Sequence, residues 1–129
     1  FRSVNCLFTY NLLHNKPITV FKGHSRTSTY IYDSVRTLAN IANNFIDGET
    51  YNIASDQEHT IENLAELLVK YTKADPALVD YREHSEVLTT KHKHVDASKS
   101  VRDLDHKNTV SLEEGVWETV QWMKEHYRL

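Results

Sequence analysis

A chain of 129 residues, 40% hydrophobic and 26% charged, is long enough for one domain with a real core and too short for two, so residues 1–129 are read as a single domain. Its net charge of −3 argues against nucleic acid as a partner, and no apolar run approaches the ~18 residues of a membrane span. The lone Cys6 excludes an internal disulfide and fits a reducing, cytoplasmic setting.

Charge is uneven along the chain. Residues 1–48 hold five Lys/Arg against two Asp/Glu, and residues 49–129 hold ten against sixteen. A basic first third inside an acidic whole suits a small anion better than a polyanion. The chain opens on Phe1, and its only methionine is Met123, so the expectation is a piece of a longer protein.

Residues 3–14 carry Val4, Leu7, Phe8 and Leu12 at near-helical spacing, and Lys16-Pro17 ends that helix. Ile18–Phe21 is short and β-branched and reads as a strand. After the loop 22–26, residues 29–32 read as a second extended piece. Asp33 or Ser34 can cap a helix whose Val35, Leu38, Ala39 and Ala42 keep the i, i+3, i+4, i+7 pattern, with Gly48 closing it. Residues 50–54 read as a strand and 55–58 as a turn. Thr60 opens a helix with Ile61, Leu64, Ala65 and Leu68 on one face, ending near Asp75-Pro76. Residues 78–81 read as a strand and 82–94 as a polar stretch. Asp96 caps a short helix. Ser111 and Glu114 have capping-box spacing before a closing helix that displays Leu112, Val116, Val120 and Met123. Strands alternating with helices predict an α/β fold with some parallel pairing.

Several chemistries are missing from the sequence. Three glycines, Gly23, Gly48 and Gly115, are too dispersed for a G-x-G-x-x-G turn or a P-loop. None of the seven tyrosines is followed four residues later by lysine, and no G-x-S-x-G elbow or C-x-x-C is present. His92 and His94 would share one strand face, as two metal ligands would, but Lys91 and Lys93 beside them equally make a solvated basic edge. A metal site needs three or four ligands, and no third has evident spacing. Cys6, among apolar neighbours, reads as a helix packing residue, and Trp117 and Trp122 read as packing on the last helix.

Arg26 stands just after a glycine-containing turn and between extended segments. There it can present its planar fork to a diphosphate, or it can be an ordinary surface arginine.

Four segments together resemble a known family. Residues 23–33 (GHSRTSTYIYD) with 48–53 (GETYNI) are similar to the "G-x-x-R … (Y/F)-(I/V)-x-D … G-x-x-Y-N-(I/V)" pattern of the extended short-chain dehydrogenases/reductases, the NAD-dependent nucleotide-sugar epimerases and dehydratases. Residues 95–104 (VDASKSVRDL) resemble their "D-x-S-K" helix, and residues 110–122 (VSLEEGVWETVQW) their closing "L-E-E-G" helix. The resemblance implies the C-terminal, substrate-facing portion of such a Rossmann-type enzyme, with a few mostly parallel strands and flanking helices. The family's glycine-rich NAD turn and Tyr-x-x-x-Lys pair would lie upstream of it. No cofactor is therefore expected on this chain, NAD being that of the complete family enzyme, and no catalytic residue is assigned.

By the same resemblance Arg26 would contact the diphosphate of a nucleotide sugar. Arg82 would be the second arginine, with Lys91 as the fallback, although residues 84–90 depart from the family's Arg-Pro-Gly-Asp run. Leu104-Asp105-His106 replaces the customary Leu-Gly-Trp. The expected partners are a nucleotide sugar and either a second copy or the dinucleotide-binding half, against which the helix after Asp33 and the Tyr51–Ile53 segment would pack. The alternative is a non-catalytic, self-associating interaction module built on this fold.

Overall fold

The computed structural model describes residues 3–44, 46–83 and 90–127. Helix α1 (Val4–Leu13) buries Phe8 and Leu12 and gives way at Asn15, which is left-handed, to the strand β1 (Ile18–Phe21). β1 points Ile18 and Val20 inward, the alternation its β-branched residues favour. It pairs in parallel with β4 (Val79–Arg82), with Ile18 opposite Val79 and Val20 opposite Tyr81. Between these strands the chain makes its long crossover, as parallel neighbours require.

A second sheet has the order β3-β2-β5, with β2 (Ser25–Thr27) at its centre. β3 (Glu58–Thr60) runs antiparallel to β2, and β5 (His92–Lys93) runs parallel to it. The core lies around β1, where α1, α3 (Ile61–Thr72) and α5 (Leu112–Tyr127) converge. Phe8, Leu12, Leu64, Leu68, Val116 and Val120 pack there with Ile18 and Val20. The result is an α/β fold whose strands pair mostly in parallel.

Local chemistry sets the helix ends. The Thr60 hydroxyl accepts from Asn63 N at 3.0 Å, and the Ser111 hydroxyl accepts from Glu114 N at 3.2 Å, each satisfying an orphan first-turn donor. Helix α3 stops at Thr72, earlier than expected, because Lys73 turns left-handed. Asp75 then caps a 3-10 turn, Pro76–Leu78, through Ala77 N. In α5, Gly115 leaves room for Tyr30: a Cβ there would stand 3.2 Å from the tyrosine ring.

Three expectations need correction. The extended segment lies at Ser25–Thr27, not 29–32, because Tyr30 O accepts from Ser34 N and helix α2 (Ile31–Asn44) has begun by Ile31. Helix α2, by contrast, leaves its apolar face open, as expected of the face that would pack against a second copy or a dinucleotide-binding half. It buries Asp33 and Thr37 and turns Val35 and Leu38 to solvent, at 50% and 55% exposure. Residues 50–54 join no ladder among the described residues. Asn52 O and Ala54 O instead accept from the Ser100 hydroxyl and from His106 Nε2, beside α4 (Ser98–Leu104). Trp117 and Trp122 are exposed on α5, where Trp122 stacks on His126.

Candidate functional site

The site grows from the turn before β2. Gly23 has φ +71°, a conformation that favours glycine, and its N–H donates to Glu62 Oε1 at 2.7 Å. Ile61 N donates to His24 O at 2.9 Å. The start of α3 thus fixes the turn from one side, and β3 and β5 hold the strand that follows from both edges.

Arg26 sits in the middle of β2, half-buried. Its Nη1 donates to Ser25 O at 2.6 Å and to Lys91 O at 3.0 Å. Two carbonyls therefore aim the guanidinium, and among the described residues no carboxylate pairs with it. A guanidinium has five N–H donors in a fixed fork, so Nε and Nη2 remain to bind an anion. Arg26 also borders a cavity of about 490 Å³ whose walls include Leu7, Phe8, Asn11, Phe21 and Ile61. A mostly apolar hollow with one charged group at its edge is the usual form of a small-molecule site.

The other two predicted residues fare differently. Lys91 is brought to Arg26, but by its backbone: its carbonyl accepts from both Ser25 N, at 2.8 Å, and Arg26 Nη1, while its side chain is exposed. Arg82 lies on β4 in the other sheet, and Asp80 takes its fork through Oδ2, 2.6 Å from Nε and 2.5 Å from Nη2. The run that departs from the family pattern falls largely on residues 84–89, outside the described residues.

Three residues join the site without having been singled out from the sequence: Ser25, Glu58 and His59. The Ser25 hydroxyl is bonded to Glu58 Oε1 and lies 2.8 Å from His92 Nδ1, so one buried serine ties the three strands together. That serine bond, helped by His92 and His94, holds the Glu58 carboxyl below its ordinary value. His59 lies opposite Arg26 across β2 and β3, with Nε2 3.2 Å from the Ser28 hydroxyl. Burial pushes its imidazole down, favouring the neutral ring. His92 thus serves the strand clasp, and among the described residues no three His, Cys, Asp or Glu side chains gather as metal ligands would.

No family model matches the chain. Among curated proteins it is similar to the dTDP-glucose 4,6-dehydratase of Neisseria gonorrhoeae, 28% identical over 128 residues, which cover 90% of this chain and 37% of that one. The Salmonella typhimurium dTDP-glucose 4,6-dehydratase is 29% identical over 127 residues, 90% of this chain and 34% of that one. An epimerase from Methanothermobacter thermautotrophicus superposes with a TM-score of 0.88 at 26% identity, over 99% of this chain and 39% of that one. This chain has the fold and the sequence pattern of the extended short-chain dehydrogenases/reductases. The UDP-glucose 4-epimerase of Thermotoga maritima, solved with UDP-glucose, agrees at a TM-score of 0.86 and 26% identity, over 97% of this chain and 40% of that one.

The chain spans little more than a third of the length of the curated relatives it matches. Solved structures of this extended dehydrogenase/reductase fold include complexes with NAD. The described residues do not fit a dinucleotide pyrophosphate. Gly23 leads into a strand, Gly48 follows α2, and Gly115 lies inside α5, so none opens a helix with bare backbone as that group needs. Among the described residues no helix is long and apolar enough to cross a membrane.

Proposed function

We propose that this chain is the C-terminal, nucleotide-sugar-holding portion of an NAD-dependent epimerase or dehydratase, working in the cytoplasm and not catalytic by itself. One observation carries the reading: Arg26 is aimed by two carbonyls, unpaired with any carboxylate of the described residues, at the edge of a mostly apolar hollow. In this reading Arg26 grips the diphosphate, and Lys91 orients it through its carbonyl. Arg82 would join only by exchanging Asp80 for the ligand. Binding energy spent at the diphosphate would position the sugar for chemistry on groups elsewhere in the enzyme, so no hydride step is assigned to these residues. The test is calorimetric titration of UDP-, GDP-, CDP- and dTDP-sugars. One of these sugars is expected to bind, and Arg26→Ala to weaken it at least tenfold, as losing a charge-assisted bidentate contact should. Affinity indifferent to that substitution removes Arg26 from the site.

A second reading, a self-associating module without a sugar role, draws on α2. Ile31, Val35 and Leu38 stand together on its outer face and are half or more exposed. Exposed apolar patches of more than a few hundred Å² are rare on monomers. Sedimentation equilibrium separates the readings: concentration-dependent dimers with no sugar binding favour the module.

A further inference from the structure

A second hollow, of about 420 Å³, is lined by residues of the 54–56 segment, the stretch 94–98, α4 and Asn108, and it shares no residue with the one Arg26 borders. Ala54, Val95 and Val101 give it apolar walls, and Val101 is 53% exposed, so an apolar group laid there would cover carbon that now faces water. Asp56 Oδ1 accepts from Asn108 Nδ2 at 3.3 Å. That bond fixes the amide, because the reversed orientation would set two oxygens against each other. Asn108 Oδ1 is then a buried acceptor with no donor among the described residues, and such an atom favours a ligand that brings an N–H.

The nearby cations are engaged elsewhere. Lys99 pairs with Glu49, Arg102 with Asp103 at 2.6 Å, and Lys107 with Asp105 at 3.0 Å. Among the described residues no ion pair reaches Asp56 or Asp96, the two carboxylates that line the hollow. Residues 49–129, which supply the whole lining, hold ten Lys/Arg against sixteen Asp/Glu, so the local field favours a positive ligand.

We propose that this hollow binds a small aliphatic primary ammonium, its N–H groups donating to Asn108 Oδ1 and the Asp56 carboxylate and its stem lying along Ala54, Val95 and Val101. The proposal stands apart from the nucleotide-sugar reading. Asp96 already accepts from Ser98 N at 2.9 Å and has His94 beside it, so it adds charge and the ammonium sits at the Asp56 side. No Phe, Tyr or Trp lines the hollow, which removes the aromatic cage that a quaternary ammonium would use. A hard metal ion would want about six oxygen ligands, and apolar walls do not supply them.

Calorimetry on the 129-residue chain tests this with hexylammonium as the probe, which is expected to bind with a Kd below about 1 mM. Hexanol has the stem without the charge, hexyltrimethylammonium the charge without N–H donors, and ethylammonium the head without the stem. Each should bind at least threefold more weakly. Asp56→Asn is expected to weaken hexylammonium at least fivefold and Asn108→Ala about threefold. Asp56 is exposed and Asn108 half-buried, so both variants should keep the unfolding temperature of the parent within a few degrees. Glu125→Gln removes one exposed charge on α5, outside the hollow, and should leave the affinity within about 1.5-fold. The proposal is overturned if hexylammonium binds more weakly than about 1 mM, or if any of the three comparison probes equals it. It is also overturned if Glu125→Gln weakens binding as much as Asp56→Asn, since the general acidity of the chain would then hold the amine. None of these outcomes touches the sugar reading, whose own test is Arg26→Ala.

Discussion

Around β1, helices α1, α3 and α5 hold one another through Phe8, Leu12, Leu64, Leu68, Val116 and Val120, whereas α2 and α4 are held mainly by named polar bonds. Asp33 accepts from Thr109 N at 3.0 Å and Val110 N at 3.2 Å, and from the Thr109 hydroxyl. His106 reaches the Thr37 hydroxyl at 2.6 Å and Ala54 O at 3.0 Å. Asn40 reaches Leu104 O at 3.0 Å, and the Tyr51 hydroxyl reaches Asp103. Burial of apolar area is nondirectional and cumulative, whereas a buried polar network depends on each partner being present. The first region should lose stability in proportion to volume removed, the second in steps as single bonds are cut. Both regions leave apolar residues facing outward, Val35 and Leu38 on α2 and Trp117 and Trp122 on α5, but only on α2 is that face the main apolar face of its helix.

The largest effect is expected at Leu64, which is fully buried in the core. Leu64→Ala should cost about 2–5 kcal/mol, the lost transfer energy plus a cavity. Urea unfolding measures it, and a loss under 1 kcal/mol would mean that this half is loosely packed after all.

Asp33 comes next. Burial alone would push its carboxyl up, but the bonds from Thr109 and Val110, with the Arg36 charge nearby, hold it below its ordinary value. Asp33→Asn turns amide donors toward N–H donors and should cost about 1.5–3 kcal/mol, the scale of hydrogen bonds to a charged group. The sign of the pH dependence follows from the lowered value. A carboxyl depressed in the folded state contributes fully above its unfolded pKa, about 3.9, and loses that contribution as pH falls through the folded value. The gap between parent and Asp33→Asn should therefore be constant from pH 7 to 5 and narrow below about pH 4. A gap that stays the same at pH 3 would assign the effect to shape and not to charge.

The same contrast explains what could be read from the sequence. Apolar spacing made α1, α3, α5 and β1 legible, because for those elements the buried residues are mainly apolar ones of the pattern; β4 was legible from its composition alone, since none of its residues is buried. In α2 the spacing located the helix but did not itself say which side is inner, since periodicity reports where apolar residues fall and not which face has a neighbour. Residues 50–54 look like a strand by composition, but a strand also needs a ladder partner. β3 and β5, Glu-His-Thr and His-Lys, have little β propensity of their own and exist because β2 lies between them. Arg26 was legible from the turn before it. Glu58 and His59 were not, because what sets them beside Ser25 and Arg26 is register between segments more than thirty residues apart. Asp105 shows the family pattern persisting through a substitution: it is left-handed, φ +51°, at the position where that pattern has glycine.

The smallest effect on stability, and the sharpest test of the contrast, belongs to Leu38. It lies in the middle of α2 and is 55% exposed, so its side chain contributes little to holding this chain together. Leu38→Glu exchanges an exposed apolar group for one that helices accept equally well, and thermal unfolding of the dilute protein should move by no more than about 0.5 kcal/mol. The same substitution in the core half, at Leu64, would bury a carboxylate and unfold the chain. What Leu38→Glu should change is association: at high concentration the parent is expected to form larger species as α2 faces cover one another, and the variant to sediment as a monomer. A parent that stays a monodisperse monomer at high concentration would show that the outward apolar face of α2 is tolerated in water as it stands, and the distinction between the two halves would then lie only in how each is held from within.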